Sequence, residues 1–123
     1  MATRQSDTTA TADLQGPSPE QLLRFYRLMV TSRRTDDREM SLKRQNKIFF
    51  QISSAGHEAI GVAVAGHCVP AHDWFFLYYR DRAFALALGQ TPLGHLLQAA
   101  GAEADPASGG RQMPAHYSDA RLS

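Results

Sequence analysis

The segment Tyr78-Tyr79-Arg80-Asp81 combines residue types that bind phosphate. An arginine offers a planar fork of N–H donors that matches phosphate oxygens, and a tyrosine hydroxyl can add another donor. The segment follows an aromatic-rich run, and α/β proteins place ligands at the carboxyl ends of such strands. Arg80 is therefore a candidate phosphate ligand. The alternative is that Arg80 simply pairs with Asp81 or another acid.

A second candidate is the Gly- and Pro-containing loop 110–116, which ends in His116. Loops often carry functional residues, and a histidine can donate, accept or shuttle a proton near neutral pH. The alternative is that His116 is an ordinary surface residue.

Several catalytic signatures are missing from the sequence. The five histidines show no H-E-x-x-H spacing, and Cys68 has no partner cysteine, so we expect no metal ligand from this chain. The G-x-S-x-G, Walker A and G-x-G-x-x-G motifs are also absent. This argues against a serine hydrolase or a P-loop NTPase.

A long helix is predicted first in the chain. Ser18-Pro19 followed by Gln21 is typical of a helix start, and apolar residues then recur at helical spacing. The helix should run from about Pro19 to Asn46, and a break near Thr31-Ser32 is left open. Its charged residues are expected to form a solvated face rather than a binding surface. They include Arg34, Asp37, Arg38 and Glu39.

The rest of the pattern predicts short elements. Residues 47–53 suit an extended connector or a strand, and a helix from Gly56 to about His67 is so apolar that it should be buried. The aromatic run Asp73–Tyr79 suggests a buried strand. Helices are expected over 81–88 and 92–100, and residues 101–123 are predicted to form a loop. The fold class is α/β, mostly helical with one or two strands. A single strand makes no stable sheet, so we expect part of a larger domain.

Composition sets broad limits on function. The net charge of +1 gives no reason to invoke nucleic acid or a membrane as a partner. The single cysteine cannot form an internal disulfide, and Met1 to Gly16 has no apolar core of a signal peptide. We therefore expect a cytoplasmic protein. Residues 1–18 are predicted to be a disordered leader, and residues 19–123 the N-terminal part of a domain.

Six short motifs follow one another along the chain: Lys47-Ile48-Phe49-Phe50, Ala55-Gly56-His57-Glu58-Ala59, Asp73-Trp74-Phe75-Phe76, Tyr78-Tyr79-Arg80-Asp81, Leu86-Ala87-Leu88-Gly89 and Gly110-Arg111-Gln112-Met113-Pro114-Ala115-His116. Their order resembles that in the α subunit of thiamine-diphosphate-dependent 2-oxoacid dehydrogenase E1 components, and the chain resembles most the branched-chain (2-oxoisovalerate) type. The resemblance covers about Pro19 to Ser118, and its strength lies in the shared order of motifs that are individually weak.

The resemblance implies a thiamine-diphosphate-binding, transketolase-like fold and specific residue roles. It implies that Tyr79 and Arg80 contact the diphosphate of the cofactor. Phe50, which precedes the Gly-His-Glu-Ala segment, is implied to line the substrate pocket. Met113 and His116 are implied to face the substrate, and His116 is the catalytic candidate.

The resemblance also implies a reaction, cofactors and partners. An E1 component decarboxylates a 2-oxoacid on thiamine diphosphate and transfers the acyl group to the lipoyl group of E2. The ligands of Mg²⁺ are expected further along the protein, and the catalytic glutamate is expected in an E1 β portion, either separate or fused, of an α2β2 assembly. Residues 1–123 alone are therefore expected to be inactive. The alternatives are a pyruvate or acetoin dehydrogenase E1 α subunit, or a non-catalytic helical interaction module.

Overall fold

The computed structural model describes residues 16–119, so most of the predicted leader, residues 1–15, lies outside the described part. Four helices follow one another along the chain: α1 (Pro19–Arg44), α2 (Glu58–Ala65), α3 (Arg82–Ala87) and α4 (Pro92–Ala100). Helices α2 and α3 pack against each other, and α1 contacts the other three. No helix among residues 16–119 has both the length and the apolar character required to span a membrane.

Helix α1 begins as its sequence predicts. The Ser18 hydroxyl accepts from the amide of Gln21 at 3.2 Å, and the Gln21 side chain accepts from the amide of Ser18 at 2.8 Å. This reciprocal pair is a capping box, and Pro19 occupies the first turn. The helix is unbroken through Thr31-Ser32, where Ser32 is fully buried against the neighbouring elements.

The charged residues of α1 divide between two environments. Arg34 and Asp37 form an exposed pair at 3.4 Å, and Arg38 is exposed, as predicted. Glu39 is not part of a solvated face, because only 2% of it is exposed. That prediction was wrong for Glu39, since helical periodicity turns it, together with Asp36, toward α3.

The α2–α3 contact is close because small residues meet there. A β-carbon added to Gly61 would lie 3.0 Å from the backbone nitrogen of Phe84. The apolar core joins Ala65, Phe84 and Leu88 with the partly buried Phe75 and Leu77. The prediction that α2 is buried was wrong for one side of the helix. Its outer side is open, with Ile60 62% and Val64 45% exposed.

The predicted strand Asp73–Tyr79 is not a strand among residues 16–119, and the same holds for residues 47–53, which form a connector. Residues 74–78 nevertheless alternate between exposed and partly buried. Phe75 and Leu77 pack on the core, whereas Trp74 is 79% and Phe76 is 96% exposed. A strand requires hydrogen bonds to a neighbouring strand, and the described residues provide none. The prediction of a buried strand from this aromatic run was therefore wrong for the described residues.

Candidate functional site

A buried ionic cluster fixes the start of α3. Arg82 donates to Asp36 at 2.6 Å and to both carboxylate oxygens of Glu39 at 2.7 and 2.8 Å. All three side chains are at most 3% exposed. Burial alone would lower the pKa of Arg82, but the charge and hydrogen bonds of Glu39 raise it above its ordinary value. We call Asp36, Glu39 and Arg82 the ionic anchor.

The ionic anchor also holds the turn that follows Phe50. The second carboxylate oxygen of Asp36 accepts from the Ser53 hydroxyl and from the amide of Ser54, both at 2.8 Å. The carbonyl of Ser53 in turn accepts from the guanidinium of Arg80. Asp36 therefore connects the position of Arg82 to that of Arg80, two residues earlier in the chain.

Arg80 lies beside two tyrosine rings that contact each other at an angle of 40°. The rings of Tyr78 and Tyr79 are 3.8 Å apart, and the Arg80 guanidinium lies 5.3 Å from the centre of the Tyr79 ring. A hydrogen bond with Tyr79 raises the pKa of Tyr78. Asp81 accepts from the amide of Tyr78 at 2.8 Å. The Ser53 carbonyl and the Tyr79 ring are uncharged, so neither neutralises the charge that a phosphate would require.

The loop that contains Met113 and His116 is built around Asp105. Its carboxylate accepts from the amides of Ala107, Ser108 and Gly110 at 3.0 to 3.1 Å, and from the Ser108 hydroxyl at 2.7 Å. Burial alone would raise the pKa of Asp105, but these bonds hold it below its ordinary value. Gly110 has φ +74°, and an added β-carbon would lie 2.3 Å from the carbonyl of Gly101. The loop therefore requires glycine there.

The His116 ring is exposed, and its Nδ1 is held by its own loop. Its Nδ1 lies 3.1 Å from the carbonyl of Met113 and 3.3 Å from that of Pro114. A carbonyl oxygen only accepts, so in the neutral ring this contact requires the proton on Nδ1. The lone pair is then on Nε2, which suits a base or an acceptor.

Tyr117 joins this loop to the tyrosine–arginine segment. Its hydroxyl donates to the carbonyl of Tyr79 at 3.2 Å. Burial raises the pKa of Tyr117 to about 12, so the hydroxyl keeps its proton. The ring of His95 lies 5.1 Å from that of Tyr117. Burial, with a smaller effect of the Arg82 charge, lowers the pKa of His95 to about 3. His95 is therefore neutral at physiological pH.

Phe50 shares a cavity of about 200 Å³ with the same loop. Gln98 on α4 and Gln112 and Pro114 on the loop line the cavity together with Phe50. Met113 lies between the lining residues Gln112 and Pro114 in the chain, and 57% of its surface is exposed. An aromatic wall and an adaptable thioether side chain are suited to an apolar group of modest size.

The structure thus connects the segments of all five predicted site residues: Phe50, Tyr79, Arg80, Met113 and His116. The links run through backbone groups of Ser53 and Tyr79 and through the shared cavity. Sequence reasoning missed the residues that hold these segments: Asp36, Arg82, Gln98 and Tyr117. The i, i+3 spacing of Asp36 and Glu39 was a usable signal, because both face one side of a helix.

Residues 16–119 contain no group of three or more histidine, cysteine, aspartate or glutamate side chains that could hold a metal ion. The candidate site is instead one guanidinium with neighbouring hydroxyls, an apolar cavity and one exposed imidazole. These groups could respectively hold an anion, enclose a small apolar chain and move a proton.

Residues 26–122 match the family model described as the dehydrogenase E1 component. The match extends over most of the chain, including every predicted site residue. The chain belongs to the dehydrogenase E1 component family, as its motifs predicted.

Within this family the chain is similar to α subunits of 2-oxoisovalerate dehydrogenase. It is 38% identical to that of Bacillus subtilis over 102 residues, which are 83% of this chain and 31% of the relative. For Pseudomonas aeruginosa the identity is 35% over 103 residues, covering 82% and 24%. For the mitochondrial α subunit 1 of Arabidopsis thaliana it is 36% over 107 residues, covering 86% and 22%. The resemblance to the branched-chain type is thus confirmed, and the chain spans less than a third of these curated relatives.

Proposed function

We propose that this chain forms part of the cofactor and substrate site of an E1 α subunit. The complete enzyme would decarboxylate a branched-chain 2-oxoacid oxidatively and transfer the acyl group to the lipoyl group of E2. The observation that supports this best is the linkage of three separate segments: Arg80 bonds to the turn after Phe50, and the residue after His116 bonds to Tyr79. The substrate class comes from the similar proteins, which are α subunits of 2-oxoisovalerate dehydrogenase.

Tyr79 and Arg80 would hold the diphosphate of thiamine diphosphate. Arg80 is only partly buried, and the carbonyl and the ring beside it carry no charge, so its positive charge suits a phosphate. When bound, the cofactor supplies the nucleophilic carbon and the electron sink that decarboxylation requires. Our proposal assigns no Mg²⁺ ligand to residues 16–119.

Phe50 and Met113 would enclose the side chain of the 2-oxoacid. The cavity of about 200 Å³ beside Phe50 is smaller than a typical drug-sized pocket, which fits a short branched chain. Met113 is exposed and adjacent in the chain to the lining residue Pro114, and it adapts its shape more readily than a branched side chain.

His116 would hydrogen-bond to the substrate or transfer a proton. The contact of Nδ1 with the carbonyl of Met113 orients the ring and leaves Nε2 for this role. A histidine oriented by a backbone carbonyl is a familiar arrangement for acid–base work, since the contact fixes both the tautomer and the ring plane.

The proposal extends to the fold and to the partners. The complete protein would have the α/β thiamine-diphosphate-binding fold, which the match to the dehydrogenase E1 component family supports. An E1 β portion would complete an α2β2 assembly with this subunit. A lipoyl-bearing E2 would be the partner that accepts the acyl group. The exposure of Trp74 and Phe76 supports contact with further protein at these two residues.

A titration of the full-length protein with thiamine diphosphate and Mg²⁺ tests the cofactor role. Arg80→Ala should raise the dissociation constant by roughly ten- to a hundredfold, because a charge-assisted phosphate contact contributes about 1.5–3 kcal/mol. Arg34→Ala is the matched control, since Arg34 is exposed on α1, where it pairs with Asp37. An unchanged constant for Arg80→Ala would reject the diphosphate role.

The substrate role of His116 is tested by steady-state kinetics in the complete enzyme. His116→Ala should lower kcat/KM for 2-oxoisovalerate by about 10²–10⁴-fold, the range of a lost general acid–base group. The dissociation constant of the cofactor should stay nearly constant. A normal kcat/KM with a lowered melting temperature would assign His116 to loop stability instead.

A further inference from the structure

Gln98 holds the backbone of the His116 loop from the adjacent helix. Only 5% of Gln98 is exposed, and it lies near the end of α4. Its side-chain oxygen accepts from the amide of Ala115 at 2.8 Å. Its side-chain nitrogen donates to the carbonyl of His116 at 3.1 Å. One planar amide therefore bonds to backbone groups of two consecutive residues.

The loop has an evident requirement for such a contact. Ala115 has φ +64°, in the left-handed region that alanine seldom adopts, and it is 8% exposed. A strained backbone of this kind persists only where its surroundings enforce it. The amide of Ala115 is bonded to Gln98, and the carbonyl of His116 also accepts from Gln112 at 2.6 Å.

Helix α4 is a firm support for this contact. The Thr91 hydroxyl accepts from the amide of Gly94 at 3.1 Å at the start of the helix, and Gly101 ends it in the left-handed conformation. The helix packs on α1 and buries His95 and Ala99. A side chain on a rigid element can hold a loop in one geometry more narrowly than another loop could.

We infer that Gln98 is a positioning residue that fixes the backbone on which His116 sits, and through it the direction of the imidazole. This inference rests on the proposed substrate role of His116. A side-chain amide offers both a donor and an acceptor in one plane. Leucine at this position would lose both bonds, and glutamate would keep the acceptor and lose the donor.

A double-mutant cycle in the complete enzyme tests this inference. We expect Gln98→Leu to lower kcat/KM for 2-oxoisovalerate by about ten- to a hundredfold, since a misplacement of about 1 Å at a reacting group costs that much. We expect the double variant with His116→Ala to be no slower than His116→Ala alone, within about threefold. The cofactor dissociation constant should be unchanged. Gln45→Leu is the control, because Gln45 is exposed and its side-chain amide donates to the Ser41 hydroxyl one turn earlier in α1.

The outcomes separate the two proposals. Losses that multiply in the double variant would overturn the positioning role, because a general structural defect acts independently of His116. A fall for His116→Ala with none for Gln98→Leu would overturn this inference alone. A normal rate for His116→Ala would overturn the proposed function and this inference together. If Gln98→Leu does not fold, the same cycle with Gln98→Glu decides, with a smaller loss that is again absent from the His116→Ala background.

Discussion

Arg80 and Arg82 are two residues apart and have opposite surroundings. Arg82 is 2% exposed, and two carboxylates of α1 neutralise its charge. Arg80 is partly buried beside an uncharged carbonyl and an aromatic ring. A charge that is compensated inside the protein holds the fold together, whereas a charge placed against neutral groups at the surface remains able to bind an anion. The comparison separates scaffold from site within a single turn of chain.

The largest expected effect is a loss of stability when Arg82 of the ionic anchor is replaced. Arg82→Met should lower the free energy of unfolding by about 3–5 kcal/mol, because Asp36 and Glu39 would remain buried without a partner. Urea unfolding of the full-length protein measures this loss. Arg34→Met removes one partner of an exposed pair on α1, the helix that carries Asp36 and Glu39. It should change the free energy of unfolding by about 0.5 kcal/mol or less. A similar small change for Arg82→Met would contradict the assignment of the ionic anchor.

The next largest effect concerns the candidate site, where Met113 is expected to influence substrate preference. Met113→Ala should shift the preference between branched and short 2-oxoacids by about 1–3 kcal/mol, because the missing methylenes no longer fill the pocket. The ratio of kcat/KM for 2-oxoisovalerate and pyruvate measures the shift. Leu93→Ala is the matched control, since Leu93 is also an exposed apolar residue, at 65%, on the start of α4. Equal ratios in the wild type and Met113→Ala would remove Met113 from the pocket.

A pH effect of intermediate size probes the boundary between the two regions, at His95. Its pKa falls from 6.5 to about 3 on folding, so the unfolded chain binds more protons between these values. Stability is therefore full above pH 6.5 and declines as the pH falls. Between pH 7 and pH 5 the loss should be about 2 kcal/mol. His95→Gln should lack this part of the decline, whereas the exposed His67→Gln should retain it. Parallel urea titrations at the two pH values decide.

Local signals in the sequence predicted the elements well. The capping pair at Ser18 and Gln21 marked the start of α1, and Pro92 and Gly101 marked the bounds of α4, because these residues act on backbone groups within three or four positions. The loop after α4 was likewise predicted from its glycines and prolines, and residues 101–119 contain no helix or strand. Such signals need no knowledge of the rest of the fold.

Long-range pairing could not be predicted in the same way. Glu39 was predicted to be a surface residue because its partner, Arg82, lies 43 positions later in the chain. Residues 74–78 have the alternation of a strand, yet a strand depends on a neighbour that no local pattern specifies. The same applies to Gln98, whose partners lie 17 and 18 positions away. The motifs located the candidate site, and only the fold identified what supports it.

The smallest expected effect separates the two ends of α4. Thr91 caps the start of this helix, and Gln98 near its end contacts the His116 loop. Thr91→Ala should cost about 1 kcal/mol of stability, because the amide of Gly94 loses its partner, and Thr91→Ser should restore most of it. Since the Thr91 hydroxyl bonds to the amide of Gly94 within α4, kcat/KM should be unchanged at a temperature where the variant is folded. Thermal melting and kinetics of the same preparation test both statements.

A fall in kcat/KM as large as that of Gln98→Leu would mean that the helix as a whole, rather than the amide of Gln98, sets the geometry of the loop. A normal rate with a lowered melting temperature would confine the positioning role to the end of the helix that touches His116.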